Sequence, residues 1–204
     1  MSSAVDICNL GLANLGNEAI VSSIDPPDGS AEAEHCARYY PIARRAMQEH
    51  GWNFNTRRET LAALVETPVG GWAFAYSLPN LAIRVLAVYA YGETDENNAQ
   101  PFVQETNSSG EEVIYTNVED ATVKYAVEVT DASKFSGAFV IACGRMMSSF
   151  LAGPLIKGET GMKVALENYK LAMAEVEKAK SIDANANNLG VMQNFTPGFM
   201  SARQ

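Results

Sequence analysis

Residues 72–130 break an otherwise helical chain in two. On either side of them apolar residues recur at three- and four-residue steps, the mark of amphipathic helices. Between them aromatic and β-branched residues show a partial two-residue alternation, the mark of half-buried strands. The β-patterned runs WAFAYSLP, AIRVLAVYAY, PFVQET, EVIYTN and ATVKYAVEV are parted by turn material such as GETDENNAQ and NSSGEE. Those connections are too short for crossover helices, so the strands are expected to form an antiparallel meander. Helices split two and two around such a segment predict an α+β protein: a four-helix bundle with an inserted antiparallel β lobe and an extended C-terminal arm. The expected parts are a discontinuous bundle at 1–58 and 131–184, a β-rich lobe at 59–130 and the arm at 185–204.

The helical segments are legible one by one. Residues 3–16 carry Val5, Cys8, Leu12 and Leu15 on one face, with Ser3 as N-cap, Asp6 three positions on and Gly16 as stop. After the rigid connector SSIDPPDGS, a second helix is predicted from about 30 to 51, with Cys36, Tyr40, Ala43 and Met47 inward. Pro41 is expected to bend or interrupt it, because proline lacks a backbone donor and crowds the preceding turn. A third helix is predicted at about 134–156 on Phe135, Phe139, Cys143, Met146 and Phe150, widened by Ile141, Met147 and Leu151, with a bend at Gly153-Pro154. In the fourth, with Thr160 as N-cap, Met162, Ala165, Tyr169, Ala172, Val176 and Ala179 repeat as a seven-residue seam facing a partner. The final stretch NANNLGVMQNFTPGFMSARQ has no periodicity and little charge but holds Phe195, Phe199 and Met200. Free tails are usually charged rather than aromatic, so this arm is expected to order against a partner.

Composition narrows the function. The 204 residues are 47% hydrophobic, enough for one core or a core with a lobe. Fifteen basic against twenty-four acidic residues leave a net charge of −9, a poor balance for wrapping nucleic acid. DNA can still slide past a negative wall. No apolar run is expected to reach the length that spans a bilayer, and the N-terminus has no secretory leader, so synthesis and folding in a cytoplasm are expected. Cys8, Cys36 and Cys143 are odd in number, far apart and at apolar helical positions, which predicts buried free thiols.

A search for reactive groups returns little. Both histidines, His35 and His50, fall in or at the end of the second helix; no serine sits in a G-x-S-x-G turn; PVGGW lacks the lysine of a phosphate loop. No metal-ligand cluster or cofactor motif is present, so no cofactor, metal or catalytic residue is expected. The one enzymatic alternative is a cell-envelope hydrolase using paired carboxylates, from Glu93, Asp95 and Glu96 or from Glu111 and Glu112. These lie in polar turns where water keeps a carboxylate ionised, and no apolar wall raises a general-acid pKa.

The runs ICNLGLANLGNEAIVSSIDPPDGSAEAEHCARYYPIARRAMQEHGWNFNTRRETLAAL, WAFAYSLPNLAIRVLAV, VIYTN, ATVKYAVEV and FSGAFVIACGRMMSSFLAGPLIKG resemble, in this order over roughly residues 4–180, the tail tubular protein A family. These are head-to-tail adaptors of short-tailed bacteriophages. WNF after a helix, then TRR and an apolar run, matches the family pattern at Trp52, Asn53, Phe54, Thr56, Arg57 and Arg58; Asn55 stands where the pattern has alanine. The resemblance implies a dodecameric homo-oligomeric ring in the virion's tail neck, beneath the portal protein and above the nozzle protein, tail tubular protein B. Genomic DNA passes through its bore without sequence-specific binding, and no membrane or cofactor is implied. Within this frame Trp52 and Phe54 are expected to lock the second helix to the β lobe, with Arg57 and Arg58 pairing to acidic groups of the same or a neighbouring subunit. Phe195, Phe199, Met200 and Arg203 are expected to contact a partner, the apolar three inserting into the portal.

Overall fold

The computed structural model describes residues 2–18, 20–65, 68 and 70–192, with side-chain surroundings as far as Ile182. It is a mixed helix and sheet protein, with four helices and two small antiparallel sheets. The described residues divide into two compact units, one within residues 41–135 and one within residues 2–40 and 136–192, so the boundary falls inside the second helix.

In the helical unit, α1 (Ala4–Ala13) starts at the predicted box: Ser3 Oγ accepts from Asp6 N (3.1 Å) and Ser3 N donates to Asp6 Oδ2 (2.8 Å). The connector before α2 (Ala31–Gln48) is pinned by Asp28, whose carboxylate accepts from the backbone and hydroxyl of both Ser22 and Ser30. Those bonds hold its pKa well below the usual carboxylate range. α2 is not interrupted at Pro41, an exposed residue, and runs on as helix to Gln48. α3 (Gly137–Ile156) continues as helix through Pro154 before Lys157 ends it at φ 55°.

The expectation about bilayer-length runs needs correction. α3 is 20 residues long and apolar enough, by length and composition, to cross a membrane. Half of it is buried in this unit, with Phe139, Cys143, Met147 and Leu151 enclosed as it packs against α1 and α4, so core burial accounts for its apolar length. The α1–α3 approach is close because two glycines meet there. A Cβ on Gly11 would lie 2.9 Å from Met147 Cβ, and one on Gly144 2.7 Å from Leu10 Cδ2. Ser148, fully buried, has its hydroxyl 3.0 Å from Gly11 O and 2.9 Å from Gly144 O, a proton shared across the crossing.

α4 (Gly158–Met192) begins two residues before the predicted cap and continues beyond residue 185, so 185–192 are helical rather than an extended arm. The predicted seam is half right. Ala172, Val176 and Ala179 are buried, yet Met162 and Tyr169 are 73% and 45% exposed while Gly161 and Asn168 take the inner positions. Gly161 explains the shift: a Cβ there would stand 3.0 Å from Ala152 O, so the helices touch at the glycine and Met162 turns outward. Residues 193–204, with Phe195, Phe199, Met200 and Arg203, lie outside the described residues.

In the other unit six strands form two sheets, ordered β1-β6-β3 and β2-β5-β4. They are β1 (Thr56–Thr60), β2 (Phe74–Ser77), β3 (Ala82–Tyr89), β4 (Phe102–Thr106), β5 (Glu112–Thr116) and β6 (Thr122–Val127). All pairings are antiparallel, as expected, but the order is not that of a meander: of the strand neighbours only β4 and β5 are consecutive along the chain. β1 was missed in sequence because TRRET shows no apolar alternation, its last four residues being exposed. The two sheets are stitched together at both edges. Past β1 the chain leaves β6 at Leu61 and bridges β2 at Ala63–Tyr76; on the other side Val88 of β3 bridges Gln100 (2.7 Å, N to O). The strands therefore circle a shared core of Leu61, Tyr76, Val85, Val88, Ile114 and Val123 as a small barrel.

Gly11→Ala is expected to lower the stability of the folded protein by about 1–3 kcal/mol through overpacking against Met147, read as a lower urea midpoint at unchanged slope.

Candidate functional site

The segment richest in unusual side chains, residues 49–64, carries the chain from the end of α2 into β1. Its centre is Asn55, 1% exposed. Asn55 Oδ1 accepts from Trp52 N (2.7 Å), and its Nδ2 donates to Gln48 O and Val127 O (3.0 Å each). Val127 N returns a bond to Asn55 O (2.9 Å). Seven residues earlier the fully buried Gln48 holds Val129 with its side chain alone, donating to Val129 O (2.7 Å) and accepting from Val129 N (2.9 Å). Trp52 is buried too, and its Nε1 donates to Met47 O (2.7 Å). The last carbonyls of a helix lack intrahelical donors; here Met47 O and Gln48 O accept from the Trp52 and Asn55 side chains as well as from His50 N and Gly51 N. Gly51 turns the chain at φ 73°, where a Cβ would fall 2.4 Å from Leu86 Cδ1, so only glycine fits.

Phe54 packs its ring 5.3 Å from that of Phe135. Arg58 donates from Nη2 to Glu96 Oε1 (2.7 Å) and lies 5.0 Å over the Tyr89 ring, while Lys124 Nζ reaches the same oxygen (2.8 Å). Arg58 thus finds its acid within the chain. Arg57 pairs in register with Tyr125, whose hydroxyl donates to Glu59 Oε2 (3.0 Å). Trp52, Phe54, Arg57 and Arg58 sit in one unit, but Arg57 and Arg58 serve different partners. Asn55 and Gln48 were passed over in sequence because an amide at a helix end resembles a solvated one; only burial reveals the difference.

The carboxylates considered for hydrolysis build turns. Glu93 accepts from Asp95 N (2.8 Å) and Asn98 Nδ2 (2.9 Å), which lowers its pKa; Glu96 is lowered by Lys124 and then by Arg58. Glu111 accepts from Asn107 Nδ2 (3.4 Å). Each carboxylate with a displaced pKa, namely Asp6, Asp28, Glu93, Glu96 and Asp131, is displaced downward, the wrong direction for a proton donor near neutrality. Cys8, Cys36 and Cys143 are free and fully buried, as expected. The hydrogen bond to Cys36, and then burial, push the Cys8 thiol up, which keeps it protonated. Among the described residues no group of three or more His, Cys, Asp or Glu is placed to hold a metal ion.

The barrel has a hollow of about 480 Å³ walled by Leu64, Leu78, Leu81, Glu111, Glu112 and Val113. Leu81 stands at φ 70° in the third position of a turn closed by Ala82 N to Pro79 O (3.2 Å), a place that favours glycine or asparagine, and is 73% exposed. Among known proteins, no family model and no curated sequence matches the chain.

Trp52→Ala is expected to cost about 3–5 kcal/mol, and Asn55→Ala about 2–4 kcal/mol through the loss of three buried hydrogen bonds to backbone groups; both are measured by urea unfolding. Leu81→Asn is expected to raise stability by about 1 kcal/mol, since asparagine accepts the left-handed backbone at lower cost, and its melting temperature checks this.

Proposed function

We propose that the protein is a structural component of a virion, a head-to-tail adaptor whose copies form a ring, joining the portal to the tail nozzle and giving DNA a conduit. The ordered run of segments shared with the tail tubular protein A pattern supports it. The observation that carries it in the structure is apolar exposure on well-formed elements: Met162, Leu166 and Tyr169 of α4 are 73%, 55% and 45% exposed. Ordered apolar surface of this kind marks sites that other protein covers. In this reading the four helices act as one bundle, the stiff body of each subunit. The β segment is a lobe inserted in it, and the arm bearing Phe195, Phe199, Met200 and Arg203 docks on the portal. The protein works in the tail neck after assembly in the host cytoplasm. It needs no cofactor, touches no membrane and performs no catalysis. Its negative charge keeps passing DNA from adhering.

The test is the mass of the purified protein, alone and mixed with portal rings. A closed homo-oligomer, about twelve copies, is expected on the portal, with weaker attachment after deletion of residues 193–204. A protein that stays a single chain under both conditions, or that degrades host envelope material as that single chain, overturns the reading.

A further inference from the structure

The hollow of about 480 Å³ lies where β2 ends at Ser77, β3 begins at Ala82 and β5 begins at Glu112. Its volume falls within the roughly 300–1,000 Å³ of sites that enclose a ligand. Main-chain bonds fix its walls: Leu64 N donates to Ala75 O (2.8 Å), Leu78 N to Glu112 O (3.2 Å) and Ala82 N to Pro79 O (3.2 Å). One side is apolar, formed by Leu64, Leu78 and the largely exposed Leu81, with the fully exposed Val65 next in the chain. The other side is acidic, formed by Glu111 and Glu112. Elsewhere in this unit Glu96 pairs with Arg58 and Lys124, and Glu128 with Arg44 and Arg45. Among the described residues neither Glu111 nor Glu112 is in an ion pair.

We propose that this hollow receives an arginine side chain from an extended segment of another protein, with apolar residues beside that arginine. The site asks for both halves of such a side chain. A long basic side chain lays its methylene stem on apolar surface and keeps its charge at the polar end; Leu78 and Leu81 offer the surface, and Glu111 and Glu112 the countercharge. Arginine suits the acidic side better than lysine, because its planar guanidinium presents several donors to carboxylate oxygens at once. Apolar neighbours of the arginine then cover Leu64 and Val65. Leu81 carries the argument further. It holds the left-handed backbone at φ 70° while its side chain stays mostly in water, so nothing within the chain offsets the strain. Strain kept at an exposed position points to a contact made outside the chain. The proposal does not depend on the adaptor reading.

The test irradiates the full chain with a capped leucyl-arginyl-leucine peptide in which one leucine is a photoreactive analogue, and mass spectrometry locates the adducts. Labelling is expected on residues 78–82 and 111–113. Replacing the peptide's arginine by citrulline, a neutral isostere, is expected to reduce it about fivefold, as is the paired substitution Glu111→Gln with Glu112→Gln. Both glutamates are exposed, so an unchanged melting temperature confirms that the paired variant folds. Leu81→Asn gives the sharpest readout: labelling is expected to fall about threefold through lost apolar contact while the melting temperature rises. Four results would overturn the proposal: no labelling or labelling elsewhere, equal labelling by the citrulline peptide, full competition by equimolar putrescine, or labelling that drops as protein concentration rises. The third would mean that a bare diamine suffices, and the fourth that a second copy of this chain already occupies the hollow.

Discussion

Two buried side-chain amides hold the barrel unit together where it matters most. Gln48 and Asn55 stand at the end of α2 and seize the backbone of residues 127 and 129, each amide both giving and receiving, so that the end of a helix is sewn to the end of a strand. Backbone groups buried away from water must find partners, and neither a helix end nor a strand end can supply them to the other directly. A side-chain amide can, because it carries the same donor and acceptor as the peptide group itself. Trp52 completes the arrangement by capping a carbonyl and filling the space above it. Arg44, bonded to Glu128 at 2.6 Å, anchors the same helix turn to the residue between.

From that anchor the barrel follows. β6 lies between β1 and β3, and everything that fixes β6 fixes the sheet on both sides of it. The chain then bends at Leu61 to leave one sheet for the other, while the Val88–Gln100 bridge closes the far side. The two sheets are joined at isolated bridges along their edges. The path departs from a simple up-and-down order because β3 pairs with β6 rather than with β2 or β4, and β2 pairs with β5.

This is where reading the sequence worked and where it stopped. Period and capping chemistry placed α1, the inward stripe of α2 and most strands, because those signals are local: Ser3 with Asp6, or the alternation in ATVKYAVEV. Non-local facts were illegible. TRRET looks like a polar linker until β6 is beside it, and the α4 seam is misplaced by one residue because nothing local says that Gly161 meets Ala152 O. Asn55 shows the limit most sharply. As a letter it is one polar residue among several; as a buried group with five hydrogen bonds it is the centre of the segment.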